Sequence, residues 1–178
     1  MLSDFLRDQA FTIAWFGLMT MVWLGWAQES PGRIKSWMLG VGSGIGILFA
    51  AGFGVIVAVN WRTGSALEGK YAWFGVLVGL EVLIAGLGCW YLATKHRTRW
   101  MAFWVALVVA AHFIPLAFFL RDASIGVWGA LQLVLLVLLL PRLRRSDAPT
   151  SRDVGPVMGF TLLAYAAISA VVFAVRHV

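Results

Sequence analysis

Six stretches of this chain are each long and apolar enough to cross a bilayer, and that repetition constrains the fold more than any other feature. A membrane-crossing helix needs about 20 predominantly apolar residues. Such runs fall at roughly 10–27, 37–59, 71–93, 100–120, 124–140 and 155–175. The fifth is the shortest and the richest in leucine, with Gln132 as the one polar side chain among its leucines and valines. Pro31-Gly32 breaks the chain after the first run, and Asn60 with Arg62 closes the second. Lys95-His96-Arg97 with Arg99 closes the third, Arg121-Asp122 the fourth, and Pro141 with Arg142, Arg144 and Arg145 the fifth. Transmembrane strands alternate apolar and polar residues, and these runs do not. Inside lipid every backbone N–H and C=O must find a partner within the protein, which leaves helices as the spanning structure. The predicted fold is all-α: a polytopic membrane protein, a six-transmembrane-helix bundle forming one domain over 1–178. The connecting loops hold between 3 and 14 residues, so no soluble domain is expected and any activity must lie within the bilayer or at its surface.

Charge agrees with this. Only 12% of the 178 residues are charged, against about 25% for a soluble domain, too few to cover a water-facing surface. A soluble enzyme, a disordered chain and a nucleic-acid-binding domain are excluded on that ground. The formal charge of +6 fits basic residues gathered in cytoplasmic loops. The first, third and fifth loops hold nine basic residues: Arg33, Lys35, Lys95, Arg97, Arg99, Arg142, Arg144, Arg145 and Arg152. The other flanks hold five: Arg7, Arg62, Lys70, Arg121 and Arg176. The odd loops are therefore expected on the cytoplasmic side of the inner (plasma) membrane, with both termini outside. The first run is expected to remain as a span, because its flank is acidic (Asp4, Asp8) where a cleaved signal peptide would be basic. The cluster Arg142, Arg144, Arg145 reads as a topology signal that also meets anionic lipid.

Of the ten tryptophans, Trp26, Trp37, Trp61, Trp73, Trp90, Trp100 and Trp128 fall near span ends. There an indole keeps its ring in hydrocarbon and its N–H among headgroups. Trp15, Trp23 and Trp104 lie deeper, where they could line a cavity. In the second run Gly42, Gly46, Ala50 and Gly54 recur every four residues. They form a smooth ridge along which another helix can pack closely, either within the chain or in a second copy. The same glycine-rich run is not a dinucleotide loop, because no strand precedes it. Ala14-Trp15-Phe16-Gly17 recurs as Ala72-Trp73-Phe74-Gly75, too short a match in so biased a composition to establish a repeat.

Ionisable residues inside a membrane are rare and costly, so the central ones carry most of the functional information. There is one central acid, Glu81, and one central histidine, His112. Glu81 lies 12 residues before Ala93, about 18 Å at helical rise, and His112 lies 13 residues after Arg99, about 20 Å. The two spans are antiparallel neighbours, so both side chains are expected near mid-depth. Gln132, Thr161 and Tyr165 are expected in the same polar layer. Pro115 follows His112 by three residues and leaves the Ala111 carbonyl without its usual partner, a place where a kink can open a cavity. A Glu–His pair there can share or relay a proton, hold an amine or hydroxyl, or act as acid and base on a lipidic substrate. It can equally be a hydrogen-bonded pair that fixes helix register.

Other constellations are weaker. Ser43 lies about 9 Å and His112 about 20 Å from the same face at helical rise, so the two do not make a hydrolase dyad. A metal site needs three or four ligands and only Glu81 and His112 lie deep, with His96 and His177 at or beyond span ends; no metal and no cofactor is expected. Cys89 has no second cysteine to pair with.

Glu81 followed by His112-Phe113-Ile114-Pro115-Leu116-Ala117 resembles a group of small, uncharacterised bacterial integral membrane proteins. In that group a mid-span Glu precedes a helix with a His-Phe-x-Pro-Leu-Ala element. The resemblance covers mainly the third and fourth spans; it implies that the Glu and the His-Pro element belong together, and it implies no activity. At the level of architecture alone, the chain is also similar to tryptophan-rich sensory proteins and to sterol-isomerase-like bundles that hold lipophilic ligands. Three functions stay open on the sequence: binding or transport of a small molecule or protons through Glu81 and His112; an intramembrane enzyme using the same pair on a lipophilic substrate; and a non-catalytic membrane partner assembling through the glycine ridge. The partners these imply are the lipid bilayer, a lipophilic small molecule and, through the second span, a further copy of the chain.

Overall fold

A computed structural model describes residues 4–32 and 34–177; of the basic residues used for orientation, Arg33 lies outside them. The described residues hold six long helices and no strand: α1 Leu6–Ala27, α2 Ser36–Val59, α3 Tyr71–Thr94, α4 Met101–Phe119, α5 Ala123–Arg144 and α6 Ser151–His177, with a one-turn 3-10 helix Thr98–Trp100 before α4. All six are long and apolar enough to cross a membrane. The protein is a six-helix multi-pass membrane bundle, with large apolar side chains such as Leu48, Val59, Phe118 and Leu138 exposed where lipid must lie.

Where helix ends differ from the sequence reading, the cause is local. α5 runs on through Pro141 to Arg144. Proline in the last turn and a half removes one intrahelical bond, while Arg142 and Arg144 place positive charge at the carbonyl end of the helix dipole. Arg142 also pairs with Asp153 of α6 at 2.5 Å. α4 continues through Pro115 to Phe119. The connectors on either side of α4 are tight because α3 and α4 end alike. His96 (φ 53°) and Arg121 (φ 52°) take the left-handed conformation. The next residue then bonds back across the helix end, Arg97 N–H to Leu92 O at 2.8 Å and Asp122 N–H to Ala117 O at 3.0 Å. This closure satisfies carbonyls that would otherwise be orphaned.

α1 is the central helix, packed against α2 on one side and α6 on the other. Both contacts are made by glycine. A Cβ on Gly46 would lie 2.5 Å from the Gly17 carbonyl, and one on Gly42 would lie 2.6 Å from the Leu24 side chain. Ala50 meets Gly17 from the same ridge, whereas Gly54 faces open space. Three of the four ridge positions thus serve α1 within the chain. Gly155 and Gly159 let α6 approach Trp23 and Leu24 in the same way. α4 packs on α5, where Gly129 sits against Ala110 and Phe113. Phe16 of α1 stacks on Phe113 of α4 (5.1 Å) and meets Tyr165 of α6 at a tilt (4.9 Å), which ties the two halves of the bundle together.

α3 is the exception. None of its 24 residues is buried, and its packing is against α4 and the 3-10 turn. It stands at the edge of the bundle, and a cavity lies between it and α1.

Candidate functional site

The site begins with the register of the α3–α4 hairpin. Gly88 has no side chain, so the Trp104 indole lies directly over it, and Trp104 Nε1 donates to the Ile84 carbonyl at 3.2 Å. Trp104 is therefore occupied in joining the two helices. Two turns further along, the register brings His112 Nδ1 within 3.4 Å of Glu81 Oε2. The two side chains are 8% and 20% exposed respectively. Placing an acid and an imidazole this close lowers the cost of holding either ionisable group among apolar walls.

Both residues open onto a cavity of about 660 Å³. Three helices present one face each to it. α1 supplies Phe11, Trp15, Met19 and Trp23 at intervals of four; α3 supplies Tyr71, Phe74, Val78 and Glu81; α4 supplies Val105, Val109, His112 and Leu116. These spacings are the stripes of single helix faces. The walls are aromatic and aliphatic, and the Glu81–His112 pair is the polar feature along the middle of their length. Trp15 and Trp23, the deep tryptophans, are both in the wall.

One end of the cavity is polar. Arg7 donates to the Tyr71 hydroxyl at 2.8 Å and to the Trp61 carbonyl, and its guanidinium stands 5.6 Å from the Trp61 ring. Asp8 Oδ2 accepts the Ala66 N–H at 2.7 Å. Sequence reasoning used Arg7 and Asp8 only as flanking charge. The signal it passed over was a buried acid at the first turn of a span, since an acid that close to an apolar run needs a donor. At the other end a second cavity of about 230 Å³ lies beyond Trp26, which lines both, among Glu29, Arg99 and Asp147.

The remaining polar residues expected in the layer lie behind α4, in the α5–α6 contact. Gln132 is fully buried and its Nε2 donates to Thr161 Oγ1 at 2.8 Å. Thr161 Oγ1 also lies 2.8 Å from the Val157 carbonyl. The Tyr165 hydroxyl meets Ser124 Oγ at 2.8 Å, and Ser124 bonds the α5 cap Asp122. Trp128, expected at a span end, donates to the Thr161 carbonyl at 2.9 Å. The structure therefore divides the five residues into a pair facing the cavity, Glu81 and His112, and a helix-packing set, Gln132, Thr161 and Tyr165. Helical rise does not say which way each residue faces, and it is facing that separates the two groups.

Among the described residues no third His, Cys, Asp or Glu joins Glu81 and His112 in a group that could hold a metal ion. No protein-family model, no curated protein and no solved structure matches the chain.

Proposed function

We propose that the protein binds a lipophilic small molecule carrying one polar group, with the apolar body in the cavity between α1, α3 and α4 and the polar group on the Glu81–His112 pair. The observation that carries this reading is an acid–histidine pair, 3.4 Å apart, in the wall of an apolar cavity of about 660 Å³. Ligand sites commonly measure about 300–1,000 Å³, with mainly apolar walls and a few placed polar groups. Gln132 and Thr161 also pair across two helices, but neither lines the cavity, whereas Glu81 and His112 both do. The bias of basic loop residues supports an orientation in the plasma membrane with the termini and the 60–70 segment on the outer face.

The test uses protein reconstituted in lipid nanodiscs, with tryptophan fluorescence following decylamine, decanol and decane. The cavity wall holds Trp15 and Trp23 as reporters. Hydrogen bonds to charged groups contribute about 1.5–3 kcal/mol, so Glu81→Gln and His112→Ala are expected to weaken the amine or the alcohol roughly 10- to 100-fold while decane is unaffected. Folded variants that bind all three probes as the unaltered protein does would refute the assignment. A second reading, acid–base chemistry on the bound molecule, draws on the fact that both partners of the pair reach the cavity. It requires that a ligand recovered after incubation differ in mass or double-bond position from the one supplied.

A further inference from the structure

The cavity's ends and its side are built differently. At the face carrying both termini, the segment 60–70 between α2 and α3 folds inward. Its Ser65 and Ala66 are buried, and Ser65 and Leu67 form part of the cavity wall. The segment is held by the first turn of α1: Asp8 accepts the Ala66 N–H, and Arg7 bonds the Trp61 carbonyl and the Tyr71 hydroxyl. At the opposite face Trp23 and Trp26 stack at 5.6 Å. Trp26 Nε1 is fixed by Glu29 at 3.1 Å, and Glu29 lies 3.3 Å from Ser151 Oγ. Polar bonds thus cross both water-facing ends, where Trp61 and Tyr71 of the wall keep 65% and 52% of their surface exposed.

The flank has no such bonds among the described residues. α3 leans on α4 and leaves α1 uncovered. Phe11, Trp15 and Val22 line the cavity and yet remain 44%, 46% and 44% exposed. They lie in one stripe along α1, at intervals of four and seven, so the opening runs lengthwise between α1 and α3. Trp15 is nine residues into α1, about 14 Å along the helix and close to the middle of a hydrocarbon core about 30 Å thick. A mouth at that level meets acyl chains, not water.

We infer that the cavity fills from the side, and that its ligand is an amphiphile already dissolved in the bilayer, which passes between α1 and α3. This rests on the binding reading above and adds the source and route of the ligand. The 60–70 segment is then a lid over the water-facing end, latched by Arg7 and Asp8.

Two photoreactive probes separate the routes in proteoliposomes: a phospholipid with a diazirine in its acyl chain, and a charged, water-soluble diazirine. The expected result is that mass spectrometry finds the lipid probe on Val78 and Val109 inside the cavity as well as on exposed Val82. The water-soluble probe is expected to reach Gly64 on the loop and to leave Val78 and Val109 unlabelled. Asp8→Ala, which releases the Ala66 N–H, is expected to remove that protection. Water-soluble labelling of Val78 or Val109 in the unaltered protein overturns the inference, as does a lipid probe that labels Val82 but neither cavity valine. The labelling reads only the route and the nanodisc titration only the polar group, so failure of the polar-group assignment and failure of the lateral route are told apart.

Discussion

Gly44 and Gly46 stand two residues apart on the same helix and should respond oppositely to one methyl group. A Cβ on Gly46 would lie 2.5 Å from the Gly17 carbonyl oxygen, 3.1 Å from Thr20 Cβ and 3.2 Å from Thr20 Cγ2. The first neighbour is backbone, so no rotamer change relieves it, and α1 and α2 must separate along their line of closest approach. Thr20 is itself pinned, with its Oγ1 bonded to the Phe16 carbonyl at 2.8 Å. Extra methyl groups forced into a packed core cost about 1–3 kcal/mol, and the helix-propensity gain of alanine over glycine offsets about 1 kcal/mol of that. A Cβ on Gly44 meets nothing within 4 Å, so Gly44→Ala carries only the propensity gain. The stability of Gly46→Ala should therefore fall below that of Gly44→Ala by about 1–3 kcal/mol. The assay is SDS titration in mixed micelles, followed by helix content and tryptophan fluorescence together. Equal midpoints for the two variants would refute the packing argument, because the substitution and the helix are the same and only the neighbour differs.

Two further predictions concern the polar residues behind α4 and the α4–α5 turn. Thr161→Val leaves the buried Gln132 amide without its Thr161 partner and should destabilise by about 1–3 kcal/mol, whereas Gln132→Leu removes an amide whose Oε1 already lacks a partner and should be near neutral; the same SDS titration checks the asymmetry. Asp122→Ala deletes the cap that accepts the Ser124 N–H at 3.0 Å and should cost about 0.5–2 kcal/mol, seen as earlier hydrogen exchange in the first turn of α5.

Much of the fold was legible in the sequence because lipid imposes a rule that reads directly from composition: a span is a long apolar run closed by charge or proline. The ends were less legible. Pro141 looks like a stop, yet α5 passes through it, since the next turn carries arginines that suit a helix C-terminus. The meeting of Glu81 and His112 followed from a fixed rise per residue. The direction of Gln132, Thr161 and Tyr165 did not, because it depends on which helix lies against which face. The glycine ridge declared close packing without naming its partner; that partner is α1, and the decisive residue, Gly17, belongs to the other helix. The latch of Arg7 and Asp8 was hidden for the same reason. Its acceptors and donors are backbone groups of Trp61 and Ala66, which no side-chain pattern announces.

The isolation of α3 has a mechanical consequence. Its 24 residues extend about 36 Å at helical rise, several ångströms more than a typical hydrocarbon core. A helix longer than the slab around it adjusts by leaning. A helix held on all sides leans only with its neighbours, but α3 packs along its length on α4 alone and is tied to α1 only at its first residue, Tyr71, so its inclination can answer to the thickness of the bilayer. Any such lean moves Phe74, Val78 and Glu81 relative to the α1 wall. The membrane is thus expected to be more than the medium in which the protein dissolves, since its thickness bears on the width of the space that Glu81 faces.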